Sequence, residues 1–526
     1  MSTVPTATPI LKSRKLTVTA MVITAFFLAV LILLISHWPF SREAVLRELQ
    51  EESLSKVSVG AFHGTYFPRP GCVLEHVVFQ HNPEPGTPPL ITIDRMRVEG
   101  TFGGLLTKHV KRILVEGMHI RIPPLGNEHF ETPKRSTIVI DYLVADGAVL
   151  EVASRQVDKA PLQFVLHQFT LSDVGSNGPA SFKAALSNPQ PPGEIITTGN
   201  FGPWNPENVG QTAVAGKYLF QRADLGVFHG ISGVLSSSGK FEGVLGHILV
   251  EGATDVPLFA VTSSSHQVQL RTQFHAVVNA ENGDTFLQKV TAVFGKTTVW
   301  AEGSVAGTAG QDGKTASLEL VAKQGRIQDI LLLFARSPTA PMSGVVSFKA
   351  TVSLPPGKRR FLEKVELHGD FGIDSGSFTK ADTQQGIDSL SEGARGEKDH
   401  HKSEKDDSDP ETVLSDLKGH VVLKDGTAKF SNLSFSVPGA LARMQGTYNL
   451  ITEKIDLRGT LKTDSEISKT THGIRAAMLK VLDPFFKKKQ GNYVAPVKIT
   501  GTYEHPSFGL DLSDRDDNKK QKILNK

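Results

Sequence analysis

Hydrophobic and polar residues alternate with a period of two along most of the chain. Val268, Leu270 and Phe274 hold the apolar positions of one such stretch, and residues 346–354 and 365–373 repeat the pattern. Because successive side chains of a strand point to opposite faces, the alternation predicts strands with one apolar and one polar face. Such strands are typical of antiparallel sheets, whose polar face is wet and whose apolar face must be covered.

Only a few segments depart from this period. Helices or helical turns are predicted after Ser41, a candidate N-cap, and at residues 101–108, 222–228, 326–334 and 474–486. These helices are short and few, so they cannot cover the apolar faces of all the strands. Within the strand predicted at residues 110–122, Gly117 indicates a bulge.

Residues 16–35 (LTVTAMVITAFFLAVLILLI) form an unbroken run without a charge. A helix of this length, rising about 1.5 Å per residue, would extend roughly 30 Å, the thickness of a bilayer's hydrocarbon core. Three basic residues stand just before the run, and the positive-inside rule keeps such charges in the cytoplasm. We therefore predict a cytoplasmic tail at residues 1–15, a transmembrane helix at residues 16–36 and export of everything that follows.

A cleaved signal peptide is the competing interpretation of this run. Its apolar core would span only about 7 to 15 residues and would end at a small-residue cleavage site. The run here is longer, and residues 36–40 (SHWPF) offer no such site. The uncleaved anchor is therefore favoured, with Trp38 and Phe40 predicted to contact the membrane at its far interface.

The exported part divides at one charged segment. Residues 395–411 (RGEKDHHKSEKDDSDPE) contain no large apolar side chain, so they cannot bury enough surface to offset chain entropy and are predicted to be disordered. This segment separates a predicted β body at residues 37–394 from a C-terminal β segment at residues 412–512. Residues 513–526 form a charged tail.

Composition supports a mainly β protein and excludes several classes. The chain has 526 residues with 48 glycines, and its aromatic content is dominated by 29 phenylalanines. A net charge of +3 provides no basic field for nucleic acid. The single cysteine, Cys72, excludes a disulfide framework and a cysteine-based metal cluster. Its side chain is either a half-buried small hydrophobe, which we favour, or a reactive thiol.

No catalytic motif stands out in the sequence. It contains no G-x-S-x-G elbow, Walker A loop, H-E-x-x-H pair or EF-hand loop. His400, His401, Asp406, Asp407 and Asp409 lie in the segment predicted to be disordered, where no fixed geometry would hold a metal ion. The chain is therefore predicted to have no catalytic residues, no metal site and no cofactor.

The predicted apolar face can be covered in two ways. A closed sandwich fills itself with side chains, and the pattern alone favours it because sheets generally bury their own apolar faces. A long folded sheet instead leaves an apolar trough, which an acyl chain would fill in a protein tethered to a membrane. Parity along the strands places the candidate trough residues on one surface: Leu270, Phe274, Phe348, Val352, Leu367 and Phe371.

A second membrane contact is predicted near the C-terminus. Phe485 and Phe486 end the amphipathic helix predicted there, and Lys487, Lys488 and Lys489 follow. The three lysines either complement the dipole at the helix C-terminus or contact anionic lipid head groups.

Four segments, in order along the chain, resemble parts of the AsmA-like family of inner-membrane-anchored periplasmic proteins. They are VKRILVEGMHIRIPP (110–124), RADLGVFHGISGVLSSSGKFEGVLGHILVEGATDVPLF (222–259), RIQDILLLFARSPTAPMSGVVSFKATVSLPPGKRRFL (326–362) and YVAPVKITGTYEHPSFGLDL (493–512). Together with the N-terminal anchor, the resemblance covers nearly the whole exported chain. It implies an inner-membrane protein with its N-terminus in the cytoplasm and its bulk in the periplasm.

The resemblance also implies a fold and a function. The fold is a transmembrane helix followed by an elongated, curved antiparallel β-sheet of the groove or taco-like type, shared with TamB-type and chorein-type bridge proteins. The implied function is the handling or transfer of phospholipids between inner and outer membranes, in support of outer-membrane homeostasis. Phospholipid acyl chains and the inner membrane would be the partners. The alternative is a non-transporting structural or assembly factor that binds other outer-membrane or envelope proteins through its sheet edges.

Overall fold

A computed structural model describes part of the chain between Trp38 and Asp511. The described residues are 38–53, 55–80, 89–104, 107–122, 138–152, 161–175, 178–203, 209–262, 264, 266–280, 282–308, 313–335, 337–379, 415–437, 440–463, 487–489, 492–502 and 505–511. The predicted transmembrane helix, the charged segment at residues 395–411, the helix at residues 474–486 with Phe485 and Phe486, and the tail lie outside them. Within the described part, no helix has the length and apolar character needed to cross a bilayer.

The mainly β prediction is confirmed, and the strands belong to two compact units. The first unit comprises Met1–Ala185 and Phe201–Glu207, and the second comprises Leu186–Asn200 and Asn208–Lys526. Strand β7 (Ala180–Pro189) crosses the boundary between them. The first unit otherwise contains α1 (Arg42–Ser53), β1 (Lys56–Thr65), β2 (Gly71–Gln80), β3 (Ile91–Gly100), β4 (His109–Ile122), β5 (Val139–Val152) and β6 (Leu162–Val174).

Helix α1 begins where the N-cap prediction placed it. The backbone N–H of Ala44 donates to the hydroxyl oxygen of Ser41 at 3.3 Å, which satisfies a donor that the first helical turn leaves free. Val45, Leu46 and Leu49 then pack against the core of the first unit. The helix therefore covers part of the apolar face of this sheet.

Cys72 lies in that core, and its side chain is fully buried. Burial raises the pKa of its thiol to about 12, because a thiolate would lose its hydration there. Cys72 is therefore more buried than the half-buried residue predicted from the sequence. Its thiol stays protonated and shielded, so the alternative of a reactive thiol is wrong.

Strands β1 to β4 pair in sequence order as antiparallel neighbours, but β4 and β5 are parallel. The prediction of a wholly antiparallel sheet is wrong at this pair. Alternation reports which face a side chain occupies and carries no information on strand direction. Strand β6 then returns antiparallel to β5.

Charged side chains join the two parallel strands. The Glu151 carboxylate of β5 accepts from Nε of Arg121 at 2.8 Å and lies 3.2 Å from Nε2 of His119, both on β4. Burial opposes ionisation of Glu151, but Arg121, Gln163 and His119 together outweigh it and the pKa lies below its usual range. Asp141 of β5 binds His109 and Lys111 in the same way, and these hydrogen bonds lower its pKa.

One transverse row of residues reverses the alternation in all six strands of the first unit. On β2, Leu74 and Val77 both enter the core, a spacing of three where a regular strand has two. Ile93 and Met96 repeat this spacing on β3. The residues of the row face each other across the strands: Gly60, His76, Asp94, Gly117, Gly147 and His167.

The backbone explains the reversal on three of these strands, β2, β4 and β5. His76, Gly117 and Gly147 adopt left-handed φ values of +53°, +63° and +66°, which rotate the rest of each strand onto its other face. The pairs Arg95–Glu116 and Ile93–Met118 keep one register on either side of Gly117. Gly117 therefore inserts no extra residue, and the bulge predicted there is wrong: the residue turns its own strand without shifting the pairing.

Replacing Gly117 with alanine should destabilise the first unit more than replacing Gly147. Each alanine forces a left-handed backbone at a cost of about 1–2 kcal/mol. At Gly147 a Cβ would meet no atom within 4 Å, whereas at Gly117 it would lie 2.9 Å from the Cβ of Asp94 and closer still to its carboxylate. In denaturant unfolding, Gly117→Ala should therefore have a lower midpoint than Gly147→Ala. Equal midpoints would show that Asp94 does not restrict this position.

The second unit is built from many strands and two short helices. Its elements are β8 (Pro192–Phe201), a 3-10 turn (Val209–Gln211), β9 (Ala213–Asp224), a 3-10 turn (Leu225–Val227), β10 (Ile231–Ser232), β11 (Val234–Val244), β12 (His247–Val261), β13 (Val268–Val278), β14 (Thr285–Phe294), β15 (Thr297–Gly307), β16 (Lys314–Arg326), α2 (Ile327–Leu332), β17 (Met342–Leu354), α3 (Phe361–Lys364), β18 (Glu366–Phe378), β19 (Ser415–Lys424), β20 (Thr427–Val437), β21 (Ala440–Asn449), β22 (Lys454–Thr463), β23 (Lys487–Lys489), β24 (Asn492–Thr502) and β25 (Pro506–Leu510).

Strands of the second unit pair antiparallel with their neighbours in the sequence. The ladder runs from β9 through β11 to β22 and continues through β24 to β25, while the short strands β10 and β23 pair with β12 and β24. Strand β8 lies beside β9, where the hydroxyl of Thr197 donates to the carbonyl oxygen of Lys217 at 3.0 Å. Strand β19 pairs with β18, so the strands on either side of residues 380–414 belong to one sheet.

Two helix predictions need correction. Residues 222–228 form the end of β9 and a 3-10 turn whose N-cap, Asp224, accepts from the N–H of Gly226. Residues 487–489 form β23, so the three lysines do not occupy the last turn of a helix and the helix-dipole explanation is wrong for them. The prediction at residues 326–334 is confirmed by α2.

Candidate functional site

The strand register places the six candidate trough residues on one face of the second unit. Phe348 lies opposite Phe371 on the neighbouring strand, and Val352 lies opposite Leu367. Leu270 and Phe274 reach the same face through the row Phe274, Val290, Ala301, Leu320 and Ala350. We call this surface the apolar face.

The opposite face is wet and charged. Lys240 and Glu251 form a cross-strand ion pair at 3.0 Å, and Lys424 and Glu366 form another at 3.1 Å. The hydrogen bond from Lys240 lowers the pKa of Glu251, which remains ionised at neutral pH. Because these pairs are exposed, they add little stability and mainly keep this face soluble.

The apolar face carries no charged side chain on its described strands from β9 to β24. Each strand there presents Val, Leu, Ile, Phe, Ala or Gly in turn, together with a small group of hydroxyl residues. These hydroxyls have hydrogen-bond partners: the Thr254 and Thr272 oxygens are 2.6 Å apart, and Ser237 donates to the carbonyl oxygen of Ala253. A long apolar molecule could therefore lie on this face without stranding a charge.

Side chains of the protein itself already cover part of the apolar face. Leu270, Phe348 and Ile330 of α2 all pack against one buried cluster, and Phe348 and Phe371 pack against a second that contains Ile327 and Val346. Val352, Leu367 and Phe361 of α3 all pack against the buried cluster of Val365, Leu423 and Ala428. Five of the six candidates therefore contact filled clusters, and Phe274 lies outside them.

Polar contacts hold helix α2 over the face. The Asp329 carboxylate accepts from the backbone N–H of Lys296 and from the hydroxyl of Thr297, both at 2.8 Å. On the other side, the hydroxyl of Ser264 lies 2.9 Å from the carbonyl oxygen of Leu332. The buried Thr297 hydroxyl also accepts from the backbone N–H of Arg326 at 2.9 Å, so it joins β15 to the start of α2. Helix α2 is thus a fixed cover on this part of the sheet.

Beside Phe274, aromatic rings lie across glycines. A Cβ placed on Gly252 would be 2.4 Å from Oη of Tyr218 and 2.9 Å from Cζ of Phe274, and one on Gly216 would be 2.8 Å from Cζ of Phe241. The rings therefore cover neighbouring strands in place of missing side chains. They are half-buried and belong to none of the filled clusters of the described residues. We call this part, around Tyr218, Phe241 and Phe274, the open stretch.

A long-range contact turns the apolar face inward. The loop after β9 meets α3, which follows β17: a Cβ on Gly230 would lie 2.1 Å from the Cβ of Phe361. The strands β11 to β17 separate these two segments in the ladder, so the sheet between them must curve to bring them into contact. This curvature agrees with the lower exposure of the apolar face compared with the charged face.

One of the predicted membrane contacts, Phe40, is contradicted by the structure. Phe40 is only 8% exposed and belongs to the core of the first unit, so its prediction as a membrane contact is wrong. Trp38 is half-buried, with its ring centroid 5.2 Å from that of Tyr66. The backbones of Lys487, Lys488 and Lys489 pair with β24, and their side chains lie outside the described part.

Sequence reasoning missed Tyr218, Phe241 and Gly252. Alternation marks all three as positions on an apolar face, but the position of a ring over a glycine of the next strand depends on register, which alternation does not give.

Among the described residues, no group of His, Cys, Asp and Glu could hold a metal ion. Neither a protein-family model nor a curated protein matches the chain.

Proposed function

We propose that this protein is a membrane-anchored periplasmic protein that handles phospholipids. Residues 16–36 anchor it in the inner membrane, and the apolar face of the second unit forms the trough of a curved, taco-like sheet that accepts acyl chains. Such a trough serves transfer of phospholipids between inner and outer membranes, as the resemblance to the AsmA-like family implies. Catalysis is not part of this function.

The charge-free apolar face with its open stretch carries the proposal. Burying one methylene is worth about 0.8 kcal/mol, so ten methylenes on this face would contribute roughly 8 kcal/mol before the cost of ordering the chain. The rings of Tyr218, Phe241 and Phe274 lie across neighbouring glycines and belong to none of the filled clusters of the described residues, so they offer an apolar surface to a chain of methylenes. A charged or branched ligand would gain less from the same surface.

Mass spectrometry of lipids that co-purify with the full chain tests this proposal. We expect phospholipid in the parent protein and several-fold less in the variant Phe274→Asp, because a carboxylate on the open stretch bars an acyl chain. Gln273→Asp is the matched control, since this neighbour points to the charged face. It should retain the parental lipid content.

Retention of lipid by Phe274→Asp would place the lipid elsewhere and remove the trough from the proposal.

The alternative function is a structural or assembly factor that does not carry lipid. The filled clusters under α2 and α3 favour it, because a sheet that covers itself needs no ligand. A parent protein free of phospholipid would establish this alternative over ours.

A further inference from the structure

Three aromatic side chains are exposed together at one end of the first unit. Tyr66 and Phe67 are 64% and 87% exposed in the turn between β1 and β2, and Phe102 is 57% exposed in the turn after β3. Thr65 pairs with Gly71, and Gly71 pairs with Glu99, so both turns lie at the same end of the sheet. We call Tyr66, Phe67 and Phe102 the aromatic end.

The chain enters the first unit at this end. The ring of Trp38 is 5.2 Å from that of Tyr66, and the ring of Phe40 lies on Gly100, the last residue of β3. The uncharged apolar run ends at residue 35, three residues before Trp38. Three residues reach at most about 10 Å, so Trp38 stays within about 10 Å of the end of that run.

Two ion pairs lie beside the aromatic end. Arg69 pairs with Glu99 at 3.1 Å, and the basic partner is 60% exposed against 19% for the acid. Lys108 pairs with Glu48 at 3.0 Å, with exposures of 57% and 26%. In both pairs the cation faces outward, so this end presents exposed rings together with basic groups. Tyrosine and tryptophan rings are enriched at both membrane–water interfaces, so the rings are the feature of this end that points to lipid.

We propose that the aromatic end lies in the head-group region of the bilayer that residues 16–35 cross, on the side where the first unit emerges. The inference rests on the membrane anchor of the proposed function and is independent of the trough. The head-group layer is about 5–8 Å thick on each side, comparable to the reach of the three connecting residues. The rings next to Trp38 therefore come to rest against lipid rather than in free solvent.

A fluorescent probe beside the aromatic end tests this position in the full chain, reconstituted into lipid nanodiscs. Gly103 suits the probe because a Cβ there meets no atom within 4 Å, and Gly307 of β15 in the second unit is the matched control. Cys72 is fully buried, so a thiol-reactive dye labels the introduced cysteine of Gly103→Cys or Gly307→Cys. Nanodiscs made with bromine-labelled phospholipids should quench the probe at position 103 several-fold more than the probe at position 307.

Removing the rings should then weaken the contact. In the Gly103→Cys background, Phe67→Ser with Phe102→Ser should lower the quenching by at least half, because two membrane-facing rings are lost. Phe286→Ser is the control, since Phe286 is 49% exposed in the second unit. It should leave the quenching unchanged, and thermal unfolding should show that all variants are folded.

Three outcomes would overturn the proposal. A probe at position 103 that is neither quenched nor blue-shifted would place the aromatic end in solvent. A probe at position 103 with blue-shifted emission but no quenching would show that a protein, such as a second copy of the chain, covers this end. A chain that does not enter nanodiscs would remove the anchor and with it both proposals, whereas a chain that enters with an unquenched probe removes this inference alone.

Discussion

The variant Phe348→Asp should unfold the second unit, whereas Phe274→Asp should leave it folded. Phe348 packs against two buried clusters, one that contains Ile327 and Val346 and one that contains Phe294, Val299 and Ala322. Truncating such a ring costs about 3–5 kcal/mol, and an unpaired carboxylate in its place costs several more. That sum is comparable to the whole stability of a typical protein. Phe274 belongs to no such cluster, so an aspartate there can reach water.

Circular dichroism and thermal unfolding of the two variants measure this difference. Thr351→Asp, on the charged face of the same strand as Phe348, controls for the effect of an added charge and should unfold near the parental temperature. If both phenylalanine variants unfold, the apolar face is filled throughout and the trough has no open stretch. If both stay folded, α2 does not cover Phe348.

Gly230→Ala should open the contact between the loop after β9 and helix α3. The φ of Gly230 is +112°, a conformation that costs a residue with a side chain about 1–3 kcal/mol. The added methyl group would also lie 2.1 Å from the Cβ and 2.9 Å from the backbone nitrogen of Phe361, so no side-chain rotation relieves the overlap. Overpacking of this kind costs about 1–3 kcal/mol more.

Gly357→Ala separates the two costs. Its φ of +125° is close to that of Gly230, but a Cβ there meets no atom within 4 Å. Denaturant unfolding should therefore show a loss for Gly357→Ala and a clearly larger loss for Gly230→Ala. Equal losses would mean that the overlap with Phe361 is relieved without cost and that this contact does not hold the curvature of the sheet.

Alternation predicted the strands and the shared face of the second unit because both depend only on side-chain parity. Phe348 and Phe371 are an example: each was assigned to the apolar face from its own strand, and the register then placed them opposite each other. The sequence predicted helix α2, but it did not predict that this helix covers the apolar face. A helix of six residues gives no indication in the sequence of which strands it will lie across.

In the first unit, side-chain parity did not predict which face each residue occupies, because the rule assumes a regular strand backbone. His76 is left-handed although it is not a glycine, and nothing in the alternation around it marks the reversal. Phe40 failed for a different reason: its place in the sequence after an apolar run suggested lipid, but Gly100 leaves space into which its ring packs. Pairing between distant residues decided both cases.

The neighbour-to-neighbour pairing of the second unit has a consequence for how such a chain changes in length. Each long strand contacts mainly the strand before it and the strand after it, as repeats do in a solenoid. A hairpin inserted into the middle of this ladder preserves the direction and the facing of all later strands, whereas a single strand would invert them. Related chains should therefore differ by even numbers of strands, and with them in the distance that one molecule can span.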